Sequence, residues 1–332
     1  MTELSTAPEA PELKKTARKY GIAAAVMFAN SQILAYIFMV IAGVAAALLP
    51  NGDVIMDAGT DQGFTFLMIL NAVISYTVPI LAYTALFRQE LDSSFSKAAY
   101  RRFPCDNLIL FLCGSFVATS ASMLTSYISG LLKSLAGIPE PTEAFSGSKP
   151  QDIYQYIVFI IFVCVVAPLL EEIIYRYLLL KPLRRYGDSA AVLITSLLFA
   201  LSHFNFTQFL YTFCFGMFLA AMAIRSDWLM PSIVFHVINN LLATLSSYAP
   251  NTLGSDAADA FMLQVSGVLA TVSVAMYIIA IPLLLAVLFK RVLTLQNNCG
   301  IPQGRQMITL LTDPVMLISI ILSLTITFVN LF

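Results

Sequence analysis

Residues 168–176 read PLLEEIIYR, with two adjacent glutamates, Glu171 and Glu172, and an arginine, Arg176, four residues after the second. They sit inside an apolar run from about 153 to 180. A run of that length predicts a membrane-spanning helix, because ~20 apolar residues rising ~1.5 Å each cross the hydrocarbon core. An ionised group there costs on the order of 2.5–3.5 kcal/mol even on lenient insertion scales. Acids in such a place either hold a helix bundle together or do chemistry.

The rest of the chain has the same character. Of its 332 residues, 59% are hydrophobic and 11% charged, against about 25% charged in water-soluble domains. This composition predicts an all-α, polytopic integral membrane helix bundle with the lipid bilayer as its surroundings. A net charge of −1 and the lack of any basic stripe argue against a nucleic-acid partner. Five cysteines without CxxC spacing read as buried or interfacial thiols, not as a metal site or disulfide framework.

Apolar runs cover about 21–49, 64–87, 108–138, 153–180, 189–204, 207–226, 228–249, 260–289 and 315–332. The run at 189–204 is short and the last has no polar flank, so about eight or nine transmembrane helices are expected. Residues 1–20 are polar and contain proline, which predicts a disordered cytoplasmic N-terminus. They lack the order of parts of a signal peptide, and 21–49 is too long for a signal-peptide core, so it reads as a retained first span. Loop charges alternate. Lys14, Lys15, Arg18 and Lys19 precede the first span, whereas Asp53, Asp57 and Asp61 follow it. Arg88, Lys97, Arg101 and Arg102 then mark the next loop, and Lys181, Arg184 and Arg185 a later one. Basic loops face the cytoplasm, which puts the N-terminus inside and the protein in the plasma membrane. Residues 21–332 read as a single membrane domain with a core at about 150–250. Loop 139–152 is the best hinge, and loop 291–314 sets off the last span.

Within the predicted spans the polar chemistry is clustered. Besides Glu171, Glu172 and Arg176, His203 ends the fifth span, and His236, Asn239 and Asn240 lie on the seventh; these are the two histidines of the chain. Glu172 and Arg176, spaced i and i+4, can pair on one helix face, which leaves Glu171, about 100° round the helix, free to point elsewhere. His236 and Asn240 are likewise one turn apart, Ser232 continues their stripe, and Pro231 opens the helix. Phe199, four residues before His203, would wall its pocket. One free carboxylate, two imidazoles and an amide on three helices can converge on one water-sized site. A desolvated carboxylate can take a proton from water near neutral pH. A histidine can orient that water, and a second histidine with an asparagine amide can donate to a developing oxyanion, each donor worth roughly 3 kcal/mol. Gly216, Ala220 and Ala221 read as close helix packing, and Trp228 as an interface anchor.

Three motifs carry a resemblance. EEIIYR at 171–176 fits EExxxR, FALSH at 199–203 fits FxxxH, and PSIVFHVINN at 231–240 contains HxxxN. In this order, on separate helices, they resemble the CAAX prenyl endopeptidase and bacteriocin-processing/immunity (CPBP) family of intramembrane proteases. The resemblance covers about 150–250. It implies a CAAX-protease-like core that hydrolyses a peptide bond in a membrane-associated peptide or protein. It further implies Glu171 as general base, His203 helping to hold the water, His236 and Asn240 as the oxyanion site, and Glu172 with Arg176 fixing the helix. No cofactor is assigned, and zinc is possible. Family members are often labelled metalloproteases, and zinc on Glu171, His203 and His236 is the alternative set, although HExxH is absent. Two other functions fit the same residues. One is a proton-coupled transporter using the acids, histidines and Arg176 as a relay; the other is a non-proteolytic scaffold or immunity factor. By residue counting Glu171 lies toward the cytoplasmic half of its helix and His203 toward the outer end of a short one, so one of the two must tilt, or loop 181–188 must continue as helix.

Overall fold

A computed structural model describes residues 10–92, 106–137, 150–246, 256–290 and 300–331. Among them every regular element is helical. The chain-order labels are α1 (Pro11–Ala47), α2 (Asp61–Leu86), α3 (Asp106–Leu135), α4 (Ile153–Leu183), α5 (Asp188–Leu201), α6 (Phe206–Ser226), α7 (Met230–Ser246), α8 (Asp256–Lys290), α9 (Gln303–Leu311) and α10 (Pro314–Val329).

The expected count of eight or nine spans is not confirmed among the described residues. α1, α2, α3, α4, α6 and α8 are long and apolar enough to cross a bilayer, and α9 with α10, bent by 71°, makes a seventh if the pair is one span. The run at 315–332 is thus one arm of a bent pair, and part of the loop before it is helix. The runs at 189–204 and 228–249 became α5 and α7, of 14 and 17 residues. At about 21 Å, α5 is shorter than a ~30 Å hydrocarbon core.

The N-terminus is a second correction. Ala10 to Tyr20, expected to be disordered, form the first half of a helix. Leu13, Ala17, Tyr20 and Ala24 recur at helical spacing and are all buried, so a stripe of apolar residues outweighs the polar ones around them. The Tyr20 hydroxyl donates to the Leu179 carbonyl and Tyr83 to that of Ala23 at 2.8 Å, tying α1 to α4 and α2. Loops 93–105, 138–149, 247–255 and 291–299, with the hinge and several loop charges read above, lie outside the described residues. Cys113, Cys164 and Cys214 are free thiols, the first two buried.

α4 is the central helix, packed on α2, α5 and α7. Asp152 caps it, accepting from the Gln155 amide at 2.8 Å. It runs without a break through Leu183, and Arg184 bridges the two turns beside it, reaching Asp188 at 3.1 Å and Asp227 at 3.4 Å. The depth mismatch is thereby removed. Glu171 lies twelve residues above Leu183 and His203 fifteen above Asp188, about 18 and 22 Å at 1.5 Å per residue.

Two π-helical segments interrupt α4, at Ile161–Val166 and Ile173–Leu180, and each precedes a proline. Pro168 and Pro182 have no N–H to give and crowd the carbonyl four residues back, so the turn before each widens. The segment carrying Glu171 and Glu172 is one short α-helical stretch, Ala167–Glu172, between these widened turns.

Candidate active site

Glu171 and Glu172, although adjacent, face different surroundings. The Glu172 side chain is fully buried. Its Oε2 lies 3.3 Å from Arg176 Nε and its Oε1 3.0 Å from His236 Nδ1. The Arg176 guanidinium also lies 5.2 Å from the centre of the Phe199 ring. The i, i+4 pairing read from the sequence is present, and the same acid holds a histidine on another helix. Glu171 keeps 17% of its side chain exposed and lines a cavity of about 1170 Å³. Its Oε1 accepts from the Tyr76 hydroxyl at 3.0 Å, and its Oε2 stands 3.6 Å from His236 Nε2.

His236 therefore stands between the two acids, one on each ring nitrogen. A carboxylate opposite Nδ1 fixes the ring's orientation and leaves Nε2 as the nitrogen that faces Glu171 and the cavity. Pro231 at the start of α7 and the fully buried Ser232, whose hydroxyl donates to the Leu229 carbonyl at 2.9 Å, hold this end of the helix against its neighbours.

His203 is built differently. It follows the last turn of α5, and its Nδ1 lies 2.8 Å from the Phe199 carbonyl. A carbonyl only accepts, so Nδ1 carries the proton and the neutral ring has Nε2 as an acceptor. Phe204, the next residue, is a non-glycine at φ 47°, a conformation costing on the order of 1–3 kcal/mol. Its buried side chain and the bond from Asn330 Nδ2 to its carbonyl at 3.0 Å hold it there. Phe199 meets both histidines edge to face, with ring centres 4.9 Å from His203 and 5.8 Å from His236, so it does wall the pocket. His203 and Glu171 line the same cavity, but no direct hydrogen bond joins them among the described residues.

Asn240 also lines the cavity, with one amide hydrogen in use: Nδ2 donates to the Val163 carbonyl at 3.1 Å. The proline explains that acceptor. In the π segment the Ala167 amide bonds the Phe162 carbonyl, so Val163 would pair five residues on with Pro168, which has no N–H. Asn239 binds the Tyr211 hydroxyl at 2.5 Å.

Sequence reasoning missed Tyr76, Tyr211 and the Val163 carbonyl. Tyr76 comes from α2, outside every motif, and nothing sets it apart from the other 13 tyrosines. Gly216 does mark close packing: a Cβ there would lie 3.0 Å from Phe199 Cδ1 and 3.5 Å from Arg176 Nη2. Ala220 and Ala221 are buried, and Trp228 is exposed in the turn before α7.

The zinc alternative does not fit. Among the described residues no three His, Cys, Asp or Glu side chains are grouped to hold a metal ion.

Residues 153–242 match the family model described as Type II CAAX prenyl endopeptidase Rce1-like. No curated protein and no solved structure gives a match. The matched segment runs from the start of α4 into α7 and so contains the acids, both histidines and both asparagines. Residues 153–242 are thus similar to the type II CAAX prenyl endopeptidase family, and the all-helical bundle around them, with six or seven apolar candidate spans among the described residues, is an integral membrane protein.

Proposed function

We propose that the protein hydrolyses a peptide bond in a membrane-associated peptide or protein, with Glu171 as the general base. The observation that carries this reading is the split between the two acids: Glu172 is fully buried and committed to Arg176 and His236, while Glu171 faces the cavity. A water between Glu171 and His203 gives a proton to Glu171 as its oxygen bonds the scissile carbonyl carbon. The oxyanion that forms is met by His236 Nε2 and by the second amide hydrogen of Asn240. Glu171 then returns the proton to the departing amine as the carbon–nitrogen bond breaks.

Charge is kept in balance through these steps. Glu172 accepts a hydrogen bond from His236 Nδ1–H, so donation from Nε2 calls for the doubly protonated ring. Glu171 and Glu172 against Arg176 and that ring sum to zero. When Glu171 takes the water proton, the negative charge moves to the oxyanion and the sum stays zero. In a low-dielectric site a neutral cluster avoids the desolvation cost of a net charge.

Glu172 and Arg176 act through His236 and touch no substrate. The cavity, reached by apolar helices, suits a peptide delivered from the bilayer, and the loop charges favour cleavage on the cytoplasmic side. Purified protein in detergent should cleave such a peptide and continue to do so in a strong chelator. The transporter reading predicts solute-driven proton flux in liposomes and no cleavage, and that result would overturn the proposal.

A further inference from the structure

A second cavity, of about 170 Å³, lies behind Glu171, on the side of α1 and α2. Asn30, Ser31, Ser75 and Tyr83 line it, with Ser202 on a further side, and Tyr76, Glu171 and His203 line both this chamber and the main cavity. These three side chains therefore form the partition between the two spaces.

The chamber has a mixed lining, in which Asn30, Ser31, Ser75 and Ser202 stand beside Met27, Pro79 and Ile174. Asn30 begins a π-helical segment of α1, Asn30–Leu34, and is 3% exposed. Its Nδ2 donates to the carbonyls of Ile74 and Ser75 at 3.1 and 3.3 Å, which fixes the amide's orientation. Its Oδ1 is buried with no protein partner. A buried acceptor without a partner costs about 1–3 kcal/mol, and proteins satisfy such groups with internal water. At ~30 Å³ of liquid volume per molecule, the chamber has room for about five waters.

We infer that this chamber is a water-binding site that supplies the hydrolytic water to Glu171 from behind, with Asn30, Ser31, Ser75 and Ser202 in its wall and the Tyr76–Glu171 bond as its inner side. The inference rests on Glu171 being the base. A peptide seated in the main cavity displaces solvent from that side, whereas the chamber stays connected to the same carboxylate. Hydrolysis uses one water per turnover, so a refilling route is a chemical requirement of the reaction. Asn30 is in this account a positioning residue: it holds water and touches no substrate.

The test uses the full chain in lipid nanodiscs and has two readouts. The first is millisecond hydroxyl-radical footprinting by X-ray radiolysis of water, which labels buried side chains only where water is bound beside them. Met27 and Tyr83, 6% and 2% exposed, line the chamber and are the reporters. They should be labelled in the wild type, and labelling should fall at least severalfold in Asn30→Leu. The second is peptide cleavage, where Asn30→Leu should lower kcat about tenfold with KM within about twofold. Ser31→Leu, which fills the chamber from another wall, should repeat both effects should Asn30→Leu not fold. Unlabelled reporters in the wild type would overturn the inference, as would labelling lost with kcat unchanged. Failure of the base assignment is distinguishable, because it would appear as cleavage by Glu171→Gln while the reporters remain labelled.

Discussion

Val40 in α1 and Ile278 in α8 are 66% and 65% exposed, while Ala190, Ile194 and Thr195 in α5 are at 0%. The flanking helices are long and apolar and present large side chains outward, as helices in contact with lipid do. α5 is too short to cross alone, yet with α7 it brings the two histidines to the cavity that Glu171 lines. A helix shorter than the hydrocarbon is stable when protein wraps its ends and its polar groups find partners. The flanks thus make the apolar belt, and that frees the centre to place polar side chains inside the bundle, where an ordinary span would be penalised. One flank also reaches into the centre, because α2 supplies Tyr76 to Glu171.

This contrast predicts graded effects. The largest is expected where a short helix meets the acids. His236→Ala removes a proposed oxyanion donor and one of the two partners of Glu172, so kcat should fall about 10²–10³-fold. Stability should fall by about 1–3 kcal/mol in the same variant, read by thermal unfolding in detergent. An intermediate effect is expected for the flank's contribution. Tyr76→Phe leaves Glu171 Oε1 without its donor, and peptide kinetics should show kcat lowered about tenfold at constant KM. If Tyr76→Phe were silent, the flanks would be belt only and the contrast would be sharper than drawn here. The smallest is expected for Gly216→Ala, where the new methyl must push Phe199 by a few tenths of an ångström. A cost of about 1 kcal/mol in stability and a severalfold loss in kcat are expected, seen in unfolding and cleavage assays on the same preparation.

What could be read in the sequence was whatever a helical period or a rare residue type reveals. Glu172 and Arg176 had to meet because they are one turn apart, and two histidines in apolar runs stood out because the chain has no others. Tyr76 and the Val163 carbonyl could not be found this way, since their role depends on which helix α4 packs against and on a proline that removes one amide. The span count is harder to read for a related reason: hydropathy measures how apolar a run is, and a buried short helix such as α5 is as apolar as a lipid-facing one. The first twenty residues misled because Lys14, Lys15, Arg18 and Lys19 obscure the stripe formed by Leu13, Ala17 and Tyr20.

The division of labour between the adjacent glutamates is tested most directly by measuring cleavage and thermal unfolding side by side for Glu171→Gln and Glu172→Gln. Glu171→Gln should abolish cleavage to about 10³-fold or more below wild type while unfolding at the wild-type temperature. Glu172→Gln should lower the unfolding temperature, because it leaves the buried Arg176 without its counter-charge at a cost of about 3–5 kcal/mol. Cleavage by Glu171→Gln at the wild-type rate, or the same unfolding temperature for both variants, would contradict the account.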